Sequence, residues 1–269
     1  MMDIINEIGQ SQAYTLHSHT QFCDGKATME EFAREAVRMG FTHYGFSPHS
    51  PIPIQSPCNM SIDDVPQYLA EFQRIKRVYG DRVNFYAGME VDYLGPQWGP
   101  AHPYFSSLPL DYTIGSVHFI PDSDGQYIDI DGRYENFRSK MQQYFHSDIR
   151  YVVETFYRQS IDMVEAGGFD IIGHLDKVGH NASQWAPGIE DETWYIQLVN
   201  TLIDAIAASG IIAEINTKAW ADHKRIFPAP RYLRRLKDAG VPIIVNSDAH
   251  LPALINASRQ YGFELLNSN

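Results

Sequence analysis

The feature that most constrains the fold of this sequence is a repeated order of short apolar runs and amphipathic segments. Seven runs have the length and composition of buried β-strands: residues 13–16, 41–47, 83–91, 111–118, 169–174, 211–216 and 241–246. Helical patterns are predicted for 28–39, 61–79, 134–166 (as two helices), 191–208 and 230–239. Strands that alternate with helices form parallel sheets, so the sequence predicts an α/β protein.

Residues of the types that commonly bind metals lie at or just after the end of almost every one of these runs. His17 and His19 end the first run at a spacing of two, which points both imidazoles to the same face of a strand, and Asp24 lies on the next turn. The later runs lead to His49, Glu90, His118, His174, Asp248 and His250. These ligands can meet only if the strand ends converge, whereas an open sheet would spread seven strands over roughly 30 Å. We therefore expect a closed or nearly closed (β/α) barrel that forms a single domain, residues 1–269.

These nine residues predict a metal cluster. A zinc ion takes three or four protein ligands, so nine candidates indicate two or three divalent ions that share carboxylates. Imidazole and carboxylate ligands without a thiolate suit zinc, manganese or iron and do not select among them. Such a cluster activates water and neutralises charge on a phosphoryl group, so hydrolysis of a phosphate ester follows. Amide hydrolysis by a similar ligand set is left open at this point.

The charge balance limits the partners that the chain can bind. The formal net charge is −12 and no run of lysines and arginines exists, which argues against a protein that coats nucleic acid. The N-terminus lacks a basic segment followed by an apolar run, and no stretch reaches the roughly 18 apolar residues of a membrane span. Two cysteines, Cys23 and Cys58, make no disulfide framework. We expect a cytoplasmic protein that binds neither nucleic acid nor membranes.

The residues around the ligands resemble the motifs of the polymerase-and-histidinol-phosphatase (PHP) superfamily. The chain has Pro-His-Ser-Pro around His49, Gly-Met-Glu-Val-Asp-Tyr around Glu90 and Ile-Gly-Ser-Val-His-Phe around His118. The opening His-x-His-Thr, Gly-His-Leu-Asp at His174, Glu-Ile-Asn-Thr at 214–217 and Ser-Asp-Ala-His at 247–250 extend the likeness over nearly the whole chain. Within the superfamily the chain looks similar to the metal-dependent histidinol-phosphatases. The resemblance implies a distorted seven-stranded barrel with a trinuclear site.

The resemblance also implies a role for each candidate ligand. The first ion would be bound by His17, His19, Glu90 and Asp248, the second by Asp24, His49 and His250, and the third by His118, His174 and the shared Glu90. Glu90, Asp248 and His250 would be the catalytic residues around a metal-bridging hydroxide that acts as the nucleophile.

For the substrate, the resemblance implies two cationic side chains on the phosphate. Arg158 fits the first position. The second is left between Lys218 and Arg225, because the chain continues with Lys218-Ala-Trp-Ala-Asp-His-Lys-Arg225 where the family usually has Ser-Gly-Leu-Arg. Asp92 would accept the amino group of the substrate.

These implications describe a metal-dependent phosphomonoesterase that hydrolyses L-histidinol phosphate in histidine biosynthesis. Two alternatives stay open. A superfamily member could act on another small phosphate ester, such as a nucleotide or sugar phosphate, or the chain could bind metal without turnover. The sequence does not choose among the metals or between a monomer and a homo-oligomer.

Overall fold

The computed structural model describes residues 3–268. Its helices are α1 (Ile4–Ile8), α2 (Met29–Arg38), α3 (Val65–Tyr79), α4 (Pro103–Ser106), α5 (Tyr134–Tyr144), α6 (Ile149–Ala166), α7 (Val178–Trp185), α8 (Thr193–Ser209), α9 (Trp220–His223), α10 (Pro230–Asp238) and α11 (Arg259–Asn267). Its strands are β1 (Tyr14–Thr15), β2 (His43–Phe46), β3 (Asn84–Ala87), β4 (Glu90–Asp92), β5 (Ile114–Ser116), β6 (Phe119–Pro121), β7 (Tyr127–Asp129), β8 (Ile171–Ile172), β9 (Ile212–Asn216) and β10 (Ile243–Asn246). The predicted helices correspond to α2, α3, α5, α6, α8 and α10.

Helix α2 begins where the sequence predicts, because its first turn forms a capping box. Thr28 Oγ1 accepts a hydrogen bond from Glu31 N at 3.3 Å, and Thr28 N donates to Glu31 Oε2 at 2.8 Å. Phe32, Ala33 and Ala36 are fully buried on the inner face of the helix. This face packs in the apolar cluster that covers β2 and β3.

Parallel strands carry the candidate site, but their hydrogen bonds form two sheets. One sheet has the order β1-β2-β3 and the other the order β10-β9-β8-β5-β4. Isolated parallel bridges between Ser18 and Ala249 and between His49 and Glu90 connect the two sheets. The prediction of a parallel α/β fold is therefore confirmed. A closed seven-stranded barrel is not found within residues 3–268.

The interruption lies in the third predicted strand, 83–91, which is divided into β3 and β4. Gly88 N donates to Phe46 O at 2.7 Å beside β2, whereas Met89 O accepts from Ile114 N at 2.9 Å beside β5. The ring of Tyr112 occupies the space at the break, and a Cβ on Gly88 would lie 2.2 Å from Tyr112 Cζ. Only glycine fits this position. The segment therefore leaves one sheet and joins the other at Gly88.

An antiparallel hairpin that the sequence analysis did not predict follows His118. Strands β6 and β7 pair with Phe119 opposite Asp129 and Pro121 opposite Tyr127. Ile130 N donates to His118 O at 2.9 Å, which holds the hairpin against the end of β5. The hairpin and α5 therefore form a wall at the carboxyl ends of the parallel strands.

Two apolar clusters stabilise these layers. The larger lies between the five-stranded sheet and helices α5, α6, α7, α8, α10 and α11, and the smaller packs α2 and α3 against the three-stranded sheet. None of the helices within residues 3–268 has the length and apolar character needed to cross a membrane.

Candidate metal centre

Glu90 lies at the centre of the candidate site. Its side chain opens β4 and is 1% exposed. Five imidazole nitrogens surround its carboxylate: His17 Nε2 at 3.3 Å, His19 Nε2 at 3.5 Å and His49 Nδ1 at 3.0 Å from Oε2, and His174 Nε2 at 3.0 Å and His118 Nε2 at 3.6 Å from Oε1. Burial by itself would raise the pKa of Glu90, but the neighbouring imidazoles, His17 first, hold it well below its usual range. Glu90 is therefore an ionised carboxylate that two cations can share.

Two further carboxylates face the same space. Asp248 Oδ1 lies 3.1 Å from His19 Nε2 and 3.8 Å from His17 Nε2. Asp24 Oδ1 lies 3.3 Å from His250 Nε2 and 3.9 Å from His49 Nε2. The structure thus brings together all nine residues that the sequence analysis proposed as metal ligands.

The backbone is strained at two of these residues. His174 and Asp248 have φ angles of +22° and +49°, in the region that non-glycine residues rarely adopt. Each is held by a buried polar partner: His174 N donates to Glu214 Oε2 at 3.0 Å, and Asn216 Nδ2 donates to Asp248 Oδ2 at 3.0 Å. Strain of this kind persists where the surrounding structure enforces it, and it gathers at functional sites.

The donor atoms fit divalent cations. Three or four donors within 4.8 Å of one another occur in five overlapping groups: His19, Asp24, His49 and His250; His17, His174 and Asp248; His17, His19 and Glu90; His49, Asp92 and His118; and Glu90, His118 and His174. Five donor atoms in these groups are buried without a hydrogen-bond partner: His17 Nε2, His19 Nε2, Asp24 Oδ1, His49 Nδ1 and Glu90 Oε2. Buried polar atoms without partners are costly, and cations between them would satisfy all five. The site therefore suits more than one divalent ion.

The protonation of the histidines depends on the nearest carboxylates. Burial opposes protonation of His17, but Glu214, Asp248 and Glu90 together raise its pKa well above the usual range. Burial likewise opposes protonation of His118, whereas the charges of Asp92 and Glu90 raise its pKa to about 9. In the metal-free chain these imidazoles therefore carry protons that a metal ion must displace, which makes metal binding proton-coupled.

Glu214 is a functional candidate that the sequence analysis missed. It is fully buried in β9, and its Oε1 lies 2.7 Å from His17 Nδ1. This contact fixes the ring so that the other nitrogen, Nε2, faces Glu90 and Asp248. The available signal was a glutamate inside the apolar run Ile211-Ile-Ala-Glu-Ile, because a carboxylate in such a strand requires a partner.

A cavity of about 570 Å³ opens above the cluster. Its floor includes Glu90, Asp248 and His250, and its outer wall includes residues of the β6–β7 hairpin and α5. Lys140, Lys177 and Lys218 also line it. Lys218 Nζ lies 3.2 Å from Asp248 Oδ1 and 3.3 Å from His250 Nε2, so a cationic group lies directly beside the candidate ligands.

The comparisons with known proteins agree with this geometry. The sequence pattern of the PHP domain matches residues 15–218, which is more than half of the chain. The chain belongs to the PHP domain family. A protein of Deinococcus radiodurans named "probable histidinol-phosphatase" is 27% identical to this PHP domain protein over 243 residues, which cover 88% of this chain and 85% of that protein.

Two solved structures share the fold of the PHP domain protein. A candidate histidinol phosphatase from Listeria monocytogenes aligns with a TM-score of 0.82 at 18% identity, over 92% of this chain and 99% of that one. Histidinol phosphate phosphatase from Lactococcus lactis, solved with zinc, L-histidinol and phosphate, aligns with a TM-score of 0.70 at 20% identity, over 94% of this chain and 92% of that one.

The structure places Arg158 and Arg225, the predicted phosphate contacts, outside the lining of this cavity. Arg158 is exposed on α6, where its Nη2 donates to Thr155 Oγ1 at 3.1 Å, and it does not line the cavity. Its position in the helix is the reason, because the neighbouring residues Phe156, Tyr157 and Gln159 are the buried ones. Arg225 is also absent from the cavity wall and forms ion pairs with Glu190 Oε1 at 2.7 Å and Asp176 Oδ2 at 3.5 Å.

Asp92, the predicted acceptor of the substrate's amino group, is held by contacts within the protein. It lines the cavity but is 1% exposed. Its Oδ1 lies 2.7 Å from His118 Nδ1, and its Oδ2 accepts from Asn59 Nδ2 at 2.8 Å. Asp92 therefore orients His118, and at 1% exposure its carboxylate offers almost no surface to an amino group in the cavity.

Lys177 is a cation that sequence reasoning missed. It directly follows the Gly-His-Leu-Asp motif, lies on the cavity wall and is paired with Asp131, with 2.6 Å between Lys177 Nζ and Asp131 Oδ2. Burial opposes its charge, but Asp131, Asp248 and Glu90 raise the pKa of Lys177 above its usual value. Lys177 therefore stays protonated in the cavity that the candidate ligands line.

Proposed function

We propose that this PHP domain protein is a metal-dependent phosphomonoesterase and that its substrate is L-histidinol phosphate. The observation that carries the proposal is the juxtaposition of the donor cluster around Glu90 with the lysines of one cavity. Hydrolysis of a phosphate ester requires cations beside the transferred phosphoryl group. This cavity combines donor atoms that suit metal ions with the ammonium groups of lysines. The name of the Deinococcus radiodurans relative and the ligands in the Lactococcus lactis structure support the choice of substrate.

We propose that the nine candidate residues hold two or three ions of zinc, manganese or iron. When bound, such ions supply Lewis acidity and an activated water for attack on phosphorus. Glu90 would be shared between ions. Asp92 and Glu214 would keep the proton on Nδ1 of His118 and of His17, which leaves Nε2 of each ring to bind metal. The predicted catalytic role of Glu90, Asp248 and His250 stays a prediction of this proposal.

We propose Lys177 and Lys218 as the side chains that bind the phosphoryl oxygens. Both lysines line the cavity that includes Asp248, and Lys218 Nζ lies 3.2 Å from Asp248 Oδ1. The charge of Asp248 also contributes to the raised pKa of Lys177. As charge moves to the phosphoryl oxygens during transfer, these contacts strengthen, so they favour the transition state over the bound substrate.

The remaining predictions about organisation belong to the same proposal. We infer that residues 1–269 act as one domain and that the two sheets are the halves of a distorted barrel, joined by the Ser18–Ala249 and His49–Glu90 bridges. The cytoplasmic location stays a prediction from the sequence.

A substrate panel tests the function. Purified protein, loaded in turn with zinc, manganese and iron, would be assayed for phosphate release from L-histidinol phosphate, a nucleoside monophosphate and a sugar phosphate. We expect the highest kcat/KM for L-histidinol phosphate and complete loss of turnover with a chelator. Preference for another ester would favour the alternative substrate, and no turnover with any metal would leave only metal binding.

A further inference from the structure

We propose that Asp129 receives the ammonium group of the substrate and is the residue that makes this site prefer an amino phosphate ester. This inference rests on the proposed function and adds a determinant of specificity that the buried Asp92 does not provide. An ionised amine requires an acceptor that is exposed to the cavity. When the phosphoryl group of the substrate lies at the candidate ligands, this acceptor must be within reach of the amino end of the same molecule.

The register of the hairpin brings Asp129 close to the cluster. Asp129 lies opposite Phe119, the residue that follows His118, so its strand is paired directly with the segment that carries a candidate ligand. Phe119, Tyr127 and Asp129 all line the same cavity. The hairpin therefore presents a carboxylate and two aromatic side chains to the same cavity, an environment that suits a small organic cation.

Asp129 remains accessible, unlike the carboxylates on the floor. Its side chain is 40% exposed, whereas those of Glu90 and Asp248 are 1% and 3% exposed. Its Oδ1 accepts from Asp131 N at 2.8 Å, and its Oδ2 accepts from Lys140 Nζ at 2.8 Å. Each carboxylate oxygen has two lone pairs, so Asp129 has acceptor capacity left for an ammonium group.

The other carboxylate of this wall is committed elsewhere. Asp131 Oδ2 lies 2.6 Å from Lys177 Nζ, and the charge of Lys177 is the main factor that lowers the pKa of Asp131 against burial. Asp131 therefore supports the phosphate end of the site. Asp129, whose cationic partner Lys140 is itself on the cavity wall, is the carboxylate that a substrate amine can engage.

The test compares two esters that differ only in the amine: L-histidinol phosphate and imidazolylpropyl phosphate, which lacks the amino group. Losing a charge-assisted contact lowers kcat/KM about ten- to a hundredfold. We expect Asp129→Asn to cause this loss for L-histidinol phosphate and a change below about threefold for the analogue, so that the preference for the amino ester largely disappears. A matched control is Asp124→Asn, which makes the same charge change in the exposed turn of the hairpin outside the cavity and should leave the preference unaltered.

Two further variants keep the test decisive. Asp131→Asn should lower kcat/KM for both esters alike, since it acts through Lys177. Lys140→Met removes the competitor for Asp129 and should increase the preference for the amino ester, a result that does not depend on whether Asp129→Asn folds. Equal losses for the two esters in Asp129→Asn, or an amine-selective loss in Asp131→Asn, would overturn the assignment. If the wild-type protein hydrolyses neither ester, the proposed function fails and the role of Asp129 fails with it, whereas equal losses at normal wild-type turnover overturn the role of Asp129 alone.

Discussion

Glu214→Gln is the substitution that best separates orientation of a ligand from ligation itself. Glu214 Oε1 lies 2.7 Å from His17 Nδ1, and its Oε2 accepts from His174 N at 3.0 Å. A carboxylate offers only acceptors, whereas a glutamine amide offers one oxygen and one NH2 group. The glutamine can therefore satisfy one of these two N–H groups, and its own NH2 group faces the other. One buried pair of donors is left in repulsive contact.

The expected effect is a loss of metal affinity with the fold intact. A buried donor without an acceptor costs about 1 to 3 kcal/mol. Loss of the partner that orients a metal-binding histidine typically lowers affinity about ten- to a hundredfold, or roughly 1.4 to 2.7 kcal/mol. The substitution also removes a negative charge close to Asp248 and Glu90, which relieves repulsion when no metal is bound. Metal affinity is therefore the better measure, because the stability of the metal-free protein contains both effects.

Competition with a chromophoric chelator measures the affinity, and circular dichroism monitors the fold. The control is Asp111→Asn, since Asp111 Oδ2 accepts from Ala87 N at 2.8 Å before β5 begins, at the opposite end of the strands from the cluster. An asparagine oxygen can keep that bond. If Glu214→Gln binds zinc within twofold of the wild-type Kd, the role assigned to Glu214 is refuted.

Three further outcomes follow from the geometry. Glu90→Gln keeps the volume but removes the charge shared by two cations, so it should lose bound metal and most of kcat while its far-ultraviolet spectrum is unchanged; near-normal turnover and metal content would contradict this. Lys177→Met should lower kcat/KM about ten- to a hundredfold at unchanged metal content, whereas the exposed Arg158→Ala should stay within about threefold, and the reverse order would restore the phosphate contact first predicted for Arg158. Arg259→Met should lower the free energy of unfolding by about 2 to 4 kcal/mol in urea titrations, because the buried guanidinium donates to the carbonyls of Gln12 and Tyr14; a change below about 1 kcal/mol would contradict it.

The sequence by itself determined the features that depend on neighbouring residues. The capping box of Thr28 and Glu31 starts α2 as predicted, since both partners lie within one helical turn. The alternation of apolar runs and helical segments predicts the parallel sheets, because the pattern within each segment indicates its type and strands that alternate with helices pair in parallel. His17 and His19 share a strand face because of their spacing, and the carboxyl ends of parallel strands lie at one edge. The convergence of the candidate ligands was therefore readable without coordinates.

The tertiary structure alone decided which partners complete the site. Gly88 divides the third strand because the ring of Tyr112, distant in the sequence, occupies the space that a side chain would need. Arg158 and Lys177 are both cations near the Gly-His-Leu-Asp motif, yet only Lys177 lies on the cavity wall. That difference depends on the rotation of α6 against its neighbours and on the path of the loop after β8. No local pattern specifies either, because both result from packing between segments that are far apart in the chain.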